Sequence, residues 1–305
     1  MFECLSVWVF ECLGCDDANT KTRKHENTFA LSNLRICYVF FIFALCCVSS
    51  GVDAWNRLPL QAEAPTVLQS GIIQFDFGLQ YLSHTNFPFS AFSKDSGRDV
   101  LSLPTLGLRI GLGKRSEFQL SYEQLFVEEE VFRIREMWKS GDLDLSTKIE
   151  FWQERQWLPG IGMKVGVKLP NASNDYRVGT DETDFAFSAL FAKRIAFITT
   201  TANVGLLILG NPFEHASQDD LLSYAFACSF PWNARVTTTA EIAGQTLGTN
   251  DNERRSALFH LSIRKNQQIW KLSGRIGLLE NSEDWGFGAG VTWTWDGLKR
   301  WAGSK

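Results

Sequence analysis

Between Gly141 and Pro170 the chain reads GDLDLSTKIEFWQERQWLPGIGMKVGVKLP, and its two halves alternate in the same way. Leu143, Leu145, Thr147, Ile149 and Phe151 fall on one side of an extended strand, and Asp142, Asp144, Ser146, Lys148 and Glu150 on the other. Ile161, Met163, Val165, Val167 and Leu169 then oppose Gly162, Lys164, Gly166 and Lys168. Side chains along a strand point alternately to its two faces, so this is a hairpin with one apolar and one ionic face. A soluble fold has little use for many such hairpins. A membrane barrel does, because its apolar face meets lipid and its polar face meets a lumen.

The pattern recurs about twelve times from Gly71 to Asp296. The first segment sets Ile73, Phe75, Phe77, Leu79 and Tyr81 against Gln74, Asp76, Gly78 and Gln80. The last sets Trp285, Phe287, Ala289, Val291, Trp293 and Trp295 against Gly286, Gly288, Gly290, Thr292 and Thr294. The seventh, Ala196 to Leu206, is less regular, with Ile198, Ala202, Val204 and Leu206 expected outward. The expected fold is all-β: one antiparallel transmembrane barrel of about 12 strands over residues 71–296. A mean hydropathy of −0.10 fits, since two opposite faces cancel in an average.

Alternation does not say which face is inside, and a lipocalin-like barrel would turn its apolar face inward. The number of segments, the glycines of the ionic face and an apparent export signal favour the membrane arrangement. Short links near 113–116, 192–195, 231–234 and 265–268 alternate with long ones at 83–99, 128–140, 170–182, 208–219 and 246–255; the link at 152–159 is intermediate, and that at 279–284 is the exception, short where a long one is expected. Outer-membrane barrels have short periplasmic turns and long outer loops, which puts both strand termini on the periplasmic side. Trp152, Trp157, Trp232, Trp270 and Trp295 fall at strand ends on the short-turn side, where indoles form an interface girdle.

Ahead of the strands, Arg35 precedes an apolar run of 13 residues, Ile36 to Val48, and Val52-Asp53-Ala54 supplies a cleavage-like end. Spanning takes roughly 20 apolar residues. We therefore expect a cleaved secretory signal at 35–54, a non-native or disordered extension at 1–34, a periplasmic segment at 55–70 and a tail at 297–305. Six of the seven cysteines lie within the first 47 residues and only Cys228 follows. Cys12 and Cys15 have a metal-like spacing with no second pair to complete a ligand set, so no metal or cofactor is expected. A net charge of −4 gives no ground for nucleic-acid binding.

The inward row holds the candidate functional residues: Arg109, Glu123, Asp142, Asp144, Lys148, Glu150, Lys164, Lys168, Arg235, Glu241, Arg264 and Arg275. With Asp76, Asp184 and Lys271 added, acids and bases nearly cancel. That balance suits cross-strand pairs bracing the lumen better than a single-sign selectivity ring, while a solute-guiding role stays open. Lys164 and Lys168, beside the strand carrying Lys148 and Glu150, form the wall where an anion preference would reside. No lipid-cleaving enzyme is expected. His260 points inward, His84 and His215 lie in links, and no outward Ser–His pair or G-x-S-x-G turn exists.

Gly141-Asp142-Leu143 at a strand start, the Leu169-Pro170 rim, a polar loop and the strand TDFAFSALF together resemble a family of outer-membrane transporters associated with the MetA pathway of phenol degradation. The resemblance implies a twelve-stranded outer-membrane barrel of a Gram-negative cell, passing small solutes, apolar or aromatic ones among them. It carries no catalytic residue. Its partners would be the outer-membrane bilayer, the barrel-assembly machinery and a solute the sequence does not identify. The competing expectation is a filled-lumen barrel serving structure or adhesion through its long loops, with residues such as 55–70 or a loop as plug. Twelve strands enclose more than the eight whose interior side chains just fill.

Overall fold

The computed structural model describes residues 61–87, 98–128, 137–172, 178–212, 217–248 and 252–296. The signal at 35–54, the extension at 1–34 and the tail at 297–305 lie outside the described residues. Twelve strands follow one another: β1 (Ile72–Thr85), β2 (Arg98–Gly111), β3 (Ser116–Glu128), β4 (Met137–Trp152), β5 (Gly160–Leu169) and β6 (Asp184–Ile195). Then come β7 (Ile198–Gly210), β8 (Gln218–Pro231), β9 (Val236–Thr246), β10 (Arg254–Lys265), β11 (Gln268–Gly277) and β12 (Trp285–Asp296). Each pairs antiparallel with its sequence neighbours, and β1 closes on β12 with Ile72 opposite Asp296 and Ser83 opposite Trp285. Closure leaves no unpaired strand edge, which is the condition for a sheet to cross a bilayer.

The period-two pattern sets the sidedness. Phe77, Val165, Phe185, Phe187, Val204, Leu206, Phe226, Ile242 and Phe259 are exposed, although all are large and apolar. Their sequence neighbours Asp76, Asp184, Ser188, Asn203, Ala225, Ala227, Glu241, Ala243 and Leu258 are buried. A water-soluble protein rarely exposes so wide an apolar surface, so the outer face is the lipid face. Trp152, Trp157, Trp232 and Trp295 are exposed at the short-turn rim, with Trp270 half-buried beside them. Trp138 and Trp285 are exposed at the opposite rim, where they pack on Phe126 and Tyr81 at ring separations of 5.4 and 5.3 Å. The barrel thus carries an aromatic girdle at each end of its apolar belt.

Two bulges displace the strand ends from where alternation puts them. Ser102 and Thr105 of β2 oppose Leu125 and Glu123 of β3, so β2 carries one extra residue there. Ser140 and Leu143 of β4 oppose Gln124 and Tyr122, which places a second extra residue at Gly141–Asp142. Each bulge reverses the parity of what precedes it and extends its strand toward the long-loop rim. β2 therefore begins at Arg98 and β4 at Met137, inside stretches expected to be links.

Candidate functional site

The inner face is more apolar than the ionic row suggests. Ala186, Leu207, Leu209 and Leu221 form one buried cluster on β6, β7 and β8, and Leu190 and Leu258 extend that wall. A second cluster joins Val100 of β2 and Leu125 and Val127 of β3 to Phe87, Ala172 and Val178 from the long loops. On β6–β10 these apolar side chains alternate in the lumen with buried Asp184, Asn203, Asp219, Glu241, Arg254 and His260. Over Leu206–Leu209 both faces of β7 are apolar, which is why its alternation is weak there in the sequence.

Residues 61–70, expected on the periplasmic side, run into the barrel. Twelve strands about 4.8 Å apart and tilted about 40° enclose a ring roughly 24 Å across. Ten extended residues reach roughly 33 Å, enough to cross it. The segment leaves β1 past Gly111, where an added Cβ would lie 2.1 Å from the Gln69 carbonyl oxygen. The Leu68 amide donates to Glu117 on β3 at 2.7 Å. Pro65 is fully buried against Gly160 and Gly162, and a Cβ on Gly162 would stand 2.9 Å from the Pro65 Cβ. On the far side the Ala62 amide donates to Glu241 of β9 at 2.7 Å, its methyl lies on Ala225, Ala243 and Leu258, and the Asn203 side-chain amide on β7 donates to the Glu63 carbonyl and accepts from the Glu63 N–H, both at 3.0 Å. The segment is a strap tied to both sides of the lumen.

Glu63 is its main anchor. Its Oε1 accepts from Lys148 Nζ and its Oε2 from Lys164 Nζ, both at 2.8 Å, and the Gln119 amide donates to Oε1 at 2.6 Å. Burial pushes the Glu63 carboxyl up, yet Lys148 and Lys164 more than offset this and hold it well below the usual carboxylate range. Glu63 is therefore ionised in the lumen.

The other candidates divide among separate places. Asp142 and Asp184 flank Lys168 at 3.2 and 2.6 Å near the long-loop rim, and Asp142 also accepts the Asn171 and Ala172 amides. Arg109 pairs with Asp76 at 3.3 Å, and Asp76 accepts the Thr292 hydroxyl. Arg275 lies 3.4 Å from Glu283 of the β11–β12 link. Asp144 accepts from Ser121 at 3.4 Å, Glu150 from Gln153 at 3.3 Å, and Glu123 is buried beside Gly141. Glu241, besides holding the strap, lies 3.4 Å from His260. Two residues leave the row: Arg235 is exposed in the β8–β9 turn and Arg264 is exposed near the end of β10. Glu63 and Glu117 were missing from the sequence-derived set. Glu63 sits in a segment without periodicity, and Glu117 precedes the first apolar residue of its strand.

Inward side chains of β3 and β4 are covered at strap level. Glu117, Gln119 and Lys148 are 2, 1 and 4% exposed although each points inward. In a water-filled pore such side chains would be wet. Gly111→Val tests the strap's seat, since its side chain would collide with the Leu68 and Gln69 carbonyls. The expected outcome is an intact barrel by heat-modified electrophoretic mobility, with faster proteolytic cleavage at residues 61–70.

No family model matches the chain, and no curated protein matches it. Among solved structures it is similar to an outer membrane channel from Pseudomonas putida F1, at 10% identity and a TM-score of 0.58, covering 79% of this chain and 99% of that one. Weaker similarities include the NanC porin (9% identity, TM-score 0.48, 72% of this chain and 98% of that one). Another is the translocator domain of the autotransporter NalP from Neisseria meningitidis (10% identity, TM-score 0.45, 74% and 89%). The first likeness supports the barrel fold, not an activity.

Proposed function

We propose that this chain is a passive outer-membrane channel for small solutes, shut in the described state by its own N-terminal strap. The observation that carries the reading is that residues 61–70, which belong to no strand, are held inside the barrel by contacts to β3, β4, β5 and β9. An eight-stranded barrel is closed by its own wall side chains, whereas here the wall leaves room that a separable segment occupies. Removing that segment would open a path without breaking a single interstrand hydrogen bond. The apolar cluster of Ala186, Leu207, Leu209 and Leu221 supports small apolar or aromatic solutes as cargo, in line with the transporter family the sequence resembles. The chain works without a cofactor and without catalysis, its partners being the bilayer and the machinery that inserts barrels.

The covered inner face also suits a permanently filled scaffold acting through its long loops. Liposome swelling separates the two. With residues 61–69 replaced by a Gly/Ser run, the channel reading expects entry of a pentose and exclusion of larger oligosaccharides, with slower entry through the unaltered chain. A folded strap-replaced barrel that admits no solute would leave the scaffold reading standing.

A further inference from the structure

Lys148 and Lys164 are register partners across β4 and β5. Like charges directly opposite one another destabilise a sheet pair, and water screens these two poorly, with side chains 5 and 16% exposed. Glu117 of the wall is 3.6 Å from Lys148. The groups that bring the two ammoniums into one arrangement are the oxygens of Glu63, one on each lysine at 2.8 Å. With the Gln119 amide at 2.6 Å, three donors from β3, β4 and β5 converge on one planar carboxylate. That carboxylate comes from the strap, not from the wall.

When the strap leaves, the lysines remain opposed across β4 and β5 with Glu117 beside Lys148, and an anion of the same shape replaces what Glu63 supplied. Two donors spaced to take the two oxygens of one group favour a carboxylate over a spherical ion. The residue beside Glu63 adds a second feature, since the Ala62 methyl rests on the apolar patch of Ala225, Ala243 and Leu258. The strap thus presents a carboxylate with a small apolar group next to it.

We propose that Lys148, Lys164 and Gln119 form a binding site for a carboxylate solute with a compact apolar body, and that Glu63 is its resident competitor. Solute binding and strap release are then one exchange. The solute takes the lysines, and the strap loses its main anchor. This deepens the channel reading and rests on it only for how the solute arrives, because binding itself needs no conduction.

The test is calorimetric titration of the full chain, refolded in detergent, with benzoate and with its neutral analogue benzamide. Glu63→Gln should bind benzoate at least about tenfold more tightly than the unaltered chain, the factor expected from losing one charge-assisted competitor. Benzamide should bind neither. Adding Lys148→Met and Lys164→Met to Glu63→Gln should abolish benzoate binding. Equal affinity with and without Glu63→Gln, or equal binding of benzamide, overturns the proposal. Because these variants alter a buried charge set, a second measurement uses the unaltered chain: benzoate, and not benzamide, should accelerate proteolysis of residues 61–70. No acceleration also overturns it. Benzoate binding by a barrel whose strap-replaced form stays closed to sugars would retain the site and remove the channel reading; sugar entry with no preference for benzoate over benzamide would do the reverse.

Discussion

Glu63→Gln in planar bilayers is expected to turn brief, rare openings into frequent ones, raising the open-to-closed ratio about ten- to a hundredfold. The estimate follows from one anchor. A hydrogen bond to a charged group contributes about 1.5–3 kcal/mol, and each ~1.4 kcal/mol is a factor of ten in a two-state ratio. Glutamine keeps the side chain's size and one acceptor oxygen but removes the charge that holds Lys148 and Lys164 together. The effect on the barrel wall should be small, because interstrand hydrogen bonding between β4 and β5 does not pass through Glu63. An unchanged open fraction in a correctly folded variant would mean that the strap is fixed filling and not a gate.

The same anchor makes a statement about pH. Glu63 has a carboxyl held well below its ordinary value in the folded chain. A group lowered in this way contributes fully above its unfolded pKa, and the contribution is lost only as pH falls through the folded value. The ratio of open fractions between Glu63→Gln and the unaltered chain should therefore be the same at about pH 7 and about pH 5. Taking a ratio removes effects common to both proteins. A ratio that collapses by about pH 5 would show that the lysines do not hold Glu63 ionised.

The fold was legible because a period of two survives wherever one face meets lipid. β4 from Leu143 to Glu150, β5 and most of β12 keep the alternation that the sequence shows. Legibility ends at the bulges. Past Ser102–Thr105 and Gly141–Asp142 the parity reverses, so a strand read by strict alternation stops where the real one continues. The apolar lumen cluster was hidden for a related reason: with Leu207 and Leu209 facing in and Leu206 and Ile208 facing out, β7 offers no contrast between its faces there. The strap was the least legible part. Its partners on β4 and β5 lie 85 and 101 residues away, and a carboxylate in an unpatterned segment says nothing of the lysines it will meet. The sequence did mark the receiving side, where Lys148 and Lys164 repeat a like charge on neighbouring strands.

A single arginine placed by depth gives the other large expected effect. Val204 lies at the middle of β7, outward and 45% exposed. Val204→Arg would put a guanidinium into the hydrocarbon layer, at a cost of about 2–4 kcal/mol when folding is measured by guanidinium titration in phospholipid vesicles. Ile195, at the end of β6, is even more exposed at 60% but belongs to the short-turn rim. There the side chain can extend into the headgroups, so Ile195→Arg should cost only about 0–1 kcal/mol. Exposure alone would rank the two the other way or make them equal, since arginine on a water-bathed surface is harmless wherever it sits. Only a hydrocarbon layer around the middle of the strands makes the more exposed position the tolerant one. Equal and negligible costs at both sites would remove the lipid from the outer face, and with it the reason for reading the strapped interior as a passage.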